Sequence, residues 1–249
     1  MDLSHKIFVE ELTIPTYFVD SEQKMTTPSI FLLLQEVAWK HASQYGFGFR
    51  DLQAKEVFWV LSKIKLVVHD YPKWGDFLRI ETWGKEPELL TAFRDFQGFD
   101  KVGHKFFDAT SSWHILNTAN NRPQRMDDFR EQFPIPEGKH AIEQKPEKLP
   151  THENLHETNL CKVLPSDIDM NLHVNNTKYI QWVLDSFSFD FLEQHILTEI
   201  EVNFLSQAKV GENYFIAYSK ISENEYLSSV INDNKKELAK IRTTWKDKQ

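Results

Sequence analysis

The sequence predicts an α+β protein built from two related halves, each with one long helix followed by an antiparallel β-sheet. Two observations predict this fold class. The chain repeats itself in three blocks, which occur in the same order in both halves. Within each half, several strand-like stretches follow one another without an intervening helix, which is typical of antiparallel meanders rather than of a doubly wound parallel sheet.

The first repeated block is a polar turn that leads into a helix. Residues 20–33 (DSEQKMTTPSIFLL) align with residues 167–180 (DIDMNLHVNNTKYI) at an offset of 147. In the first copy Thr26 is a capping residue, and Pro28 suits the first turn of a helix. In the second copy the amides of residues 175 and 176 can cap a helix at the same place. Apolar residues at helical spacing follow in both copies, so we expect one long helix in each half.

The second and third blocks are strands. Residues 61–83 align with residues 197–219 at an offset of 136 without a gap, and both stretches read as two strands joined at a turn of glycine and an acidic residue. A weaker third block aligns residues 110–113 with residues 242–245 at an offset of 132. Each copy of the third block ends a strand, so we expect an antiparallel sheet of about four strands in each half.

The stretch between the two halves has the composition of a linker. Residues 122–157 contain five of the ten prolines and many charged residues. We therefore predict an N-terminal domain over residues 1–121, a linker over residues 122–157 and a C-terminal domain over residues 158–249.

Composition limits the possible functions. The chain has 249 residues and a net charge of −8, and no long run of Lys or Arg offsets that charge, which argues against nucleic acid as a partner. We find no apolar stretch long enough to insert into a membrane. A single cysteine excludes internal disulfides, and the first residues lack the features of a signal peptide. We therefore expect a cytoplasmic protein.

Three polar residues precede the second helix and are candidates for chemistry. Asp169, Asn171 and His173 would place a carboxylate, an amide and an imidazole beside a helix N-terminus, whose free N–H groups point outward. Such a site can polarise a carbonyl group and move a proton. The same segment is also open to a purely structural interpretation, because Asn and Asp are common in turns and caps.

The internal repeat favours a functional role for these residues. At the offset of 147, the aligned residues of the first half are Glu22, Lys24 and Thr26, although both halves need a helix start. A metal site is disfavoured, because the segment has no zinc-type Cys or His partner, and His41 on the first helix is expected to pack rather than to bind. We therefore expect no metal and no cofactor.

The pattern D-x-N-x-H-V-N-N-x-x-Y over residues 169–179 resembles the active-site segment of the acyl-acyl carrier protein (acyl-ACP) thioesterases. These are tandem hotdog enzymes of plants and bacteria. The resemblance extends over nearly the whole chain and includes residues 16–20, 59–62 and 197–211. It implies a tandem (double) hotdog fold, in which a curved antiparallel sheet wraps a long helix in each half. It also implies a thioester hydrolase that releases free fatty acid from acyl-ACP and so terminates fatty acid synthesis, acting as a monomer or a homodimer.

The resemblance assigns roles to the polar residues. Asn171 and His173 occupy the positions of the family's catalytic asparagine and histidine, and Asp169 that of the preceding aspartate. A further acid is expected on the next strand, and by alignment Gln207 stands there. Plant members follow that acid with a cysteine, whereas this chain has Ala208, so we expect direct attack by water. Gln207 cannot act as a base and can only hold water or substrate by hydrogen bonds.

The resemblance also implies where the substrate binds. The acyl chain is expected in the apolar interior of the first half, where Phe31, Leu34, Phe58 and Trp59 are candidate pocket residues. Apolar residues on such elements are more often ordinary core. The partner would be the acyl carrier protein, which is strongly acidic, so its docking surface is expected to be locally basic.

Two alternative functions stay open. Gln207 in place of an acid is compatible with a non-catalytic or weakened acyl-binding hotdog protein. A coenzyme A thioesterase or a hydratase is a further alternative, although the double-length chain and the HVNN segment weigh against it.

Overall fold

The computed structural model describes residues 6–130, 133–151 and 156–248, apart from the side chains of residues 128 and 129. The chain divides into two compact units, Met1–Pro146 and Glu147–Gln249. The division falls inside the predicted linker, and the predicted domain boundaries stay a prediction. No helix in the described ranges has the length and apolar character that crossing a bilayer requires.

The first unit is a long helix with an antiparallel sheet. Its helices in the described ranges are α1 (Thr27–Ser43), α2 (Phe49–Ala54) and α3 (Asp127–Arg130). Its strands are β1 (Phe8–Thr13), β2 (Val57–Val68), β3 (Phe77–Glu88), β4 (Thr91–Phe99) and β5 (Lys105–Asn117). The strand order is β1-β3-β4-β5-β2, and each neighbouring pair is antiparallel.

Helix α1 begins and packs as its sequence predicts. The side chain of Thr26 accepts a hydrogen bond from the Ser29 N–H at 3.2 Å, and a proline lies in the first turn. Its apolar side chains, among them Ile30, Leu34 and Val37, are buried, and the helix contacts β1 and β3. Burial of this face, rather than intrinsic propensity, supplies most of the stability of the helix.

The second unit repeats this architecture with a shorter first helix of nine residues, against 17 in α1. Its helices are α4 (Asn176–Leu184) and α5 (Phe189–Gln194). Its strands in the described ranges are β6 (His156–Glu157), β7 (Cys161–Lys162), β8 (His195–Phe204), β9 (Asn213–Lys220), β10 (Glu225–Asn232) and β11 (Glu237–Asp247). The strand order is β8-β11-β10-β9, and β6 and β7 both pair with β9. Helix α4 packs on β10 and β11 through buried residues that include Ile180 and Val183.

The register of the two strand blocks is confirmed, although residues 110–113 lie in the middle of β5 and not at its end. Leu61 pairs with Trp113 between β2 and β5, and Leu197 pairs with Trp245 between β8 and β11. Leu197 lies 136 residues after Leu61, and Trp245 lies 132 residues after Trp113, which are the offsets that the sequence predicted. A cross-strand pair fixes the register of two strands, so the two sheets share register as well as strand order.

The offset of the turn-and-helix block was wrong by two residues. The N-caps of α1 and α4 are Thr26 and Asn175, which lie 149 residues apart, not 147. Two aspartates, Asp167 and Asp169, lie close together in the second copy, and the alignment matched Asp20 to the first of them. In the structure Asp20 corresponds to Asp169. The Oδ1 of each accepts the N–H groups of the residues two and four positions later, and these hydrogen bonds define the turn.

Candidate active site

The three polar residues lie on a tight turn that closes immediately before α4. The Asp169 N–H donates to the His173 carbonyl at 2.8 Å. The Asp169 Oδ1 accepts the N–H groups of Asn171 at 2.8 Å and of His173 at 3.3 Å. Leu172 adopts a left-handed backbone with φ of 62°. Asp169 therefore folds the turn that presents Asn171 and His173 ahead of the helix.

The first unit contains the same turn. Asp20 Oδ1 accepts the N–H groups of Glu22 at 2.8 Å and of Lys24 at 3.0 Å. Gln23 occupies the left-handed position, again with φ of 62°. A side-chain oxygen acceptor at this position therefore stabilises the turn in both units. The repeat asymmetry consequently gives no support to a role of Asp169 in catalysis.

The asymmetry does persist at the other two positions. Glu22 and Lys24 stand where the second unit has Asn171 and His173, and their side chains form an ion pair at 2.8 Å. The Asn171 side chain, in contrast, is exposed and makes no hydrogen bond to another described residue. The turn does not need an amide or an imidazole at these positions, so their side chains are available for chemistry.

Helix α4 is capped by a different residue. The Asn175 Oδ1 accepts the Thr177 N–H at 2.9 Å and the Thr177 hydroxyl at 2.8 Å. The helix has nine residues, and its N-terminus follows the turn directly. The structural tasks of the segment thus fall to Asn175 as the cap and to Asp169 as the turn residue.

Gln207 contacts His173. Its amide nitrogen lies 3.1 Å from His173 Nδ1, so two residues far apart in the chain meet at one site. The expectation that Gln207 lies on a strand was wrong, because β8 ends at Phe204. The next two N–H groups, of residues 205 and 206, both donate to the carbonyl of Leu238, which ends the regular ladder and turns the chain toward the helix start.

The contact links the side-chain amide of Gln207 to one of the two neutral tautomers of His173. With the amide nitrogen of Gln207 as the donor, Nδ1 accepts, and the matching neutral tautomer carries its hydrogen on Nε2. No other described residue hydrogen-bonds to Nε2. His173 is therefore arranged to donate a hydrogen bond from Nε2, and it is half-buried, with access from solvent.

The second carboxylate oxygen of Asp169 is also unused. Oδ1 holds the turn, while Oδ2 makes no hydrogen bond to another described residue. The site therefore offers a carboxylate acceptor, an amide and an imidazole N–H. In the described part of the chain, no group of three His, Cys, Asp or Glu side chains is arranged to hold a metal ion.

The sequence alone assigned no role to Tyr179, although it is the last residue of the D-x-N-x-H-V-N-N-x-x-Y pattern over residues 169–179. Its hydroxyl oxygen accepts the Ala208 N–H at 2.9 Å. Burial raises the pKa of Tyr179 to about 12, so the hydroxyl stays neutral. The signal in the sequence was a tyrosine on the buried face of the helix, since a buried hydroxyl must find a partner.

The four acyl-pocket candidates do not line one surface. Phe31 and Leu34 are buried on α1, whereas Phe58 and Trp59 are half-buried neighbours on β2. Consecutive residues of a strand face opposite sides, so these two point away from each other. The indole N–H of Trp59 donates to the Phe47 carbonyl at 3.1 Å, and its ring packs on a cluster around Phe47.

The interior of the first unit contains a buried polar pair. His41 is 1% exposed on α1, and Arg94 of β4 donates from Nη1 to His41 Nδ1 at 2.9 Å and to the Thr82 hydroxyl at 3.0 Å. Burial, and next the charge of Arg94, lower the pKa of His41 to about 3. His41 is consequently a neutral packed histidine at pH 7.

Two family models together match most of the chain. The model described as the acyl-ACP thioesterase N-terminal domain matches residues 5–133, and that of the C-terminal domain matches residues 151–247. Oleoyl-acyl carrier protein thioesterase 1 of Arabidopsis thaliana, a chloroplast protein, is 32% identical over 219 residues, which cover 81% of this chain and 60% of the relative. A chloroplast palmitoyl-acyl carrier protein thioesterase of Gossypium hirsutum is 26% identical, covering 97% of this chain and 64% of the relative. The chain thus spans about three fifths of the length of these relatives.

Solved structures share the fold. An acyl-ACP thioesterase from Bacteroides thetaiotaomicron matches with a TM-score of 0.84 and 23% identity, covering 99% of this chain and 100% of that chain. A 12:0-ACP thioesterase from Umbellularia californica matches with a TM-score of 0.86 and 23% identity, covering 97% of this chain and 98% of that chain. The predicted tandem hotdog fold is confirmed by these matches.

Proposed function

We propose, on the premise that the chain belongs to the acyl-ACP thioesterase family, that it hydrolyses the thioester of fatty acyl-ACP. The products are a free fatty acid and the thiol of the carrier protein, and the reaction ends fatty acid synthesis on that chain. The observation that carries the proposal is the turn before α4, which presents the unused amide of Asn171 beside the imidazole of His173. The names of the relatives support the substrate class, a fatty acyl group on a carrier protein.

The carbonyl oxygen of the thioester is polarised by hydrogen-bond donors. The side-chain amide of Asn171 and the Nε2–H of His173 both donate to it, next to the N-terminus of α4. Negative charge develops on this oxygen when water adds to the carbonyl carbon, so donors placed there stabilise the transition state more than the substrate. A neutral histidine suits this role, because it donates without needing to be charged.

The attacking water transfers a proton to Asp169. Its free Oδ2 is the remaining basic group of the site, because His173 Nδ1 is engaged by Gln207 and Nε2 carries a hydrogen. The tetrahedral intermediate then breaks its C–S bond. The carrier leaves as a thiolate, which is a good leaving group and takes a proton from solvent, while the proton of Asp169 returns to solvent.

Water attacks directly, without a covalent acyl-enzyme. Ala208 stands where the plant members of the family have a cysteine, and Cys161 is exposed on β7, outside the turn that carries His173. Each turnover therefore consumes one water molecule and one thioester.

The acyl chain lies in the apolar interior of the first unit, where Phe31 and Leu34 are buried. The partner is the acyl carrier protein, and the protein acts in the cytoplasm as a monomer or homodimer. Asp169, Asn171, His173 and Gln207 form the proposed catalytic set.

The alternative is an acyl-binding protein without efficient turnover. Gln207 favours it, because an amide cannot take a proton from water or from imidazole. The two functions differ in one measurable property, since a binding protein forms a stable complex with acyl-ACP and releases no carrier thiol.

The test is incubation of the purified protein with acyl-ACPs of different chain lengths, with free fatty acid measured by mass spectrometry. Thiol reagents would also report Cys161, which is an exposed free thiol. Hydrolysis that is lost in His173→Ala supports the proposal. Binding without release for every chain length would establish the alternative, and faster hydrolysis of acyl-coenzyme A would move the substrate assignment to coenzyme A esters.

A further inference from the structure

The loop that carries Gln207 is attached to α4 by a buried hydrogen bond. The Ala208 N–H donates to Tyr179 Oη at 2.9 Å, and the two residues are 4% and 2% exposed. Tyr179 lies in the first turns of α4, which begins immediately after the turn that carries His173. The bond therefore connects the residue next to Gln207 with the helix next to His173.

The first unit has neither member of this pair. At the offset of 136, Pro72 corresponds to Ala208, and at the structural offset of 149, Ile30 corresponds to Tyr179. Proline has no N–H to donate, and isoleucine has no hydroxyl to accept. Donor and acceptor are thus both present in the second unit and both absent from the first.

The corresponding loop of the first unit is held in another way. The Met25 N–H donates to the Pro72 carbonyl at 2.7 Å. Tyr71, which occupies the position of Gln207, is buried and hydrogen-bonds through its hydroxyl to the Thr27 hydroxyl at 3.1 Å. A hotdog loop at this place can therefore be held without the tyrosine bond, so the bond of the second unit is not a requirement of the fold.

What the second unit adds is an exposed glutamine that must stay against an imidazole. Gln207 lies outside regular structure, and ordering a long exposed side chain opposes the contact entropically. The bond between Ala208 and Tyr179 fixes the backbone next to Gln207 and so reduces the entropy that is lost when the glutamine side chain is ordered.

We propose that Tyr179 is a positioning residue, which holds the amide of Gln207 against His173 Nδ1 through the Ala208 N–H. This inference rests on the proposed hydrolase function for its kinetic consequence, but its structural consequence is independent of that function. The Tyr179 hydroxyl is buried and engaged by the Ala208 N–H, so Tyr179 acts through the loop rather than on the substrate. It keeps the His173 hydrogen on Nε2 by keeping the Gln207 donor in place.

The principal experiment compares Tyr179→Phe with Tyr71→Phe in the full chain. Both variants delete one buried tyrosine hydroxyl at the same loop, one in each unit, so both should lose thermal stability to a similar degree. Only Tyr179→Phe is expected to lower kcat, by about ten-fold, with KM changed less than about two-fold. Tyr71→Phe should keep the wild-type kcat.

A spectroscopic measurement reports the position of Gln207 directly. The ¹⁵N chemical shifts of the His173 ring distinguish the Nε2–H from the Nδ1–H tautomer. The wild type and Tyr71→Phe should show the Nε2–H tautomer, while Tyr179→Phe should show a mixture. A chain that proves to hydrolyse nothing would refute the proposed function, and the ring shifts would still decide the positioning role.

A second variant separates positioning from folding. Ala208→Pro in the Tyr179→Phe background removes the N–H that would otherwise be buried without an acceptor, and Pro72 shows that proline fits the corresponding loop. We expect this double variant to regain thermal stability but not kcat. Wild-type kcat and tautomer in Tyr179→Phe would overturn the inference, and so would recovery of kcat together with stability in the double variant. If Tyr179→Phe does not fold, the double variant decides in the same way.

Discussion

The amide nitrogen of Gln207 lies 3.1 Å from His173 Nδ1, at the place where the family resemblance predicts a carboxylate. A carboxylate there would accept the Nδ1 hydrogen and leave Nε2 as a base. The amide donates instead, which leaves the hydrogen of the neutral ring on Nε2. Glutamine in place of an acid therefore changes what His173 can do, and with it the group that takes the proton of water in the proposed reaction.

Gln207→Glu should increase the rate of hydrolysis. The new carboxylate accepts Nδ1–H, so Nε2 becomes a base that can activate water, and we expect kcat/KM to rise about ten-fold. The matched control is Leu205→Glu, which adds the same charge to the same loop at an exposed residue. Steady-state kinetics with one acyl-ACP measure both. An equal gain in the control would show that added charge, not the histidine contact, is responsible.

Asn171→Ala and His173→Ala should abolish turnover without unfolding the protein. Neither side chain caps α4, so we expect the free energy of unfolding to change by less than about 0.5 kcal/mol. Asn175→Ala removes the observed cap and should lower it by about 1 kcal/mol. Urea unfolding and kinetics on the three variants test this. Unfolding of either of the first two would support the purely structural interpretation of the segment.

Asp169→Asn should separate the turn from the chemistry. The asparagine side chain keeps an oxygen that accepts the N–H groups of residues 171 and 173, so the turn persists, but the basic carboxylate is lost. We expect kcat to fall at least about 100-fold. Asp20→Asn makes the same change in the equivalent turn of the first unit and should leave kcat unchanged. A fully active Asp169→Asn would assign proton transfer to another group.

His41 should make the stability of the protein depend on pH. Its pKa of about 3 in the folded state lies below its ordinary value of 6.5, so the unfolded chain binds the proton more readily. Stability is therefore fully present above pH 6.5 and is lost as the pH falls below it, by about 1 kcal/mol per pH unit between pH 6 and 4.

The control for this pH dependence is His41→Gln, which retains an acceptor for Arg94 and cannot titrate. Burial raises the pKa of Asp95, which lies 3.2 Å from Lys85, and a raised carboxyl pKa changes stability in the opposite direction. That contribution is common to both proteins, so the difference between their unfolding free energies at each pH isolates His41. Parallel pH profiles of the two proteins would show that folding does not lower the pKa of His41.

Local sequence was sufficient for the starts of α1 and α4 and for the register of two strand pairs, but not for the short helices α2, α3 and α5. Thr26 and Asn175 cap their helices through neighbours two or three residues away, and the Leu61–Trp113 and Leu197–Trp245 pairs follow from the spacing of the repeat. The sequence alignment was wrong by two residues in the repeated block of turn and helix. Asp167 and Asp169 are equally suited to begin a turn, and only the hydrogen bonds of the folded chain distinguish them.

The sequence by itself determined the tandem architecture and the polar turn with Asn171 and His173, because both depend on periodicity and on interactions between near neighbours. Only the tertiary structure decided which groups meet that turn. Gln207 reaches His173 because β8 ends at Phe204 and the chain leaves the sheet, and Ala208 is fixed by Tyr179 of a different element. Such contacts join residues that are distant in the chain, and they depend on the packing of helix against sheet within a fraction of an ångström, which no pattern of neighbouring residues encodes.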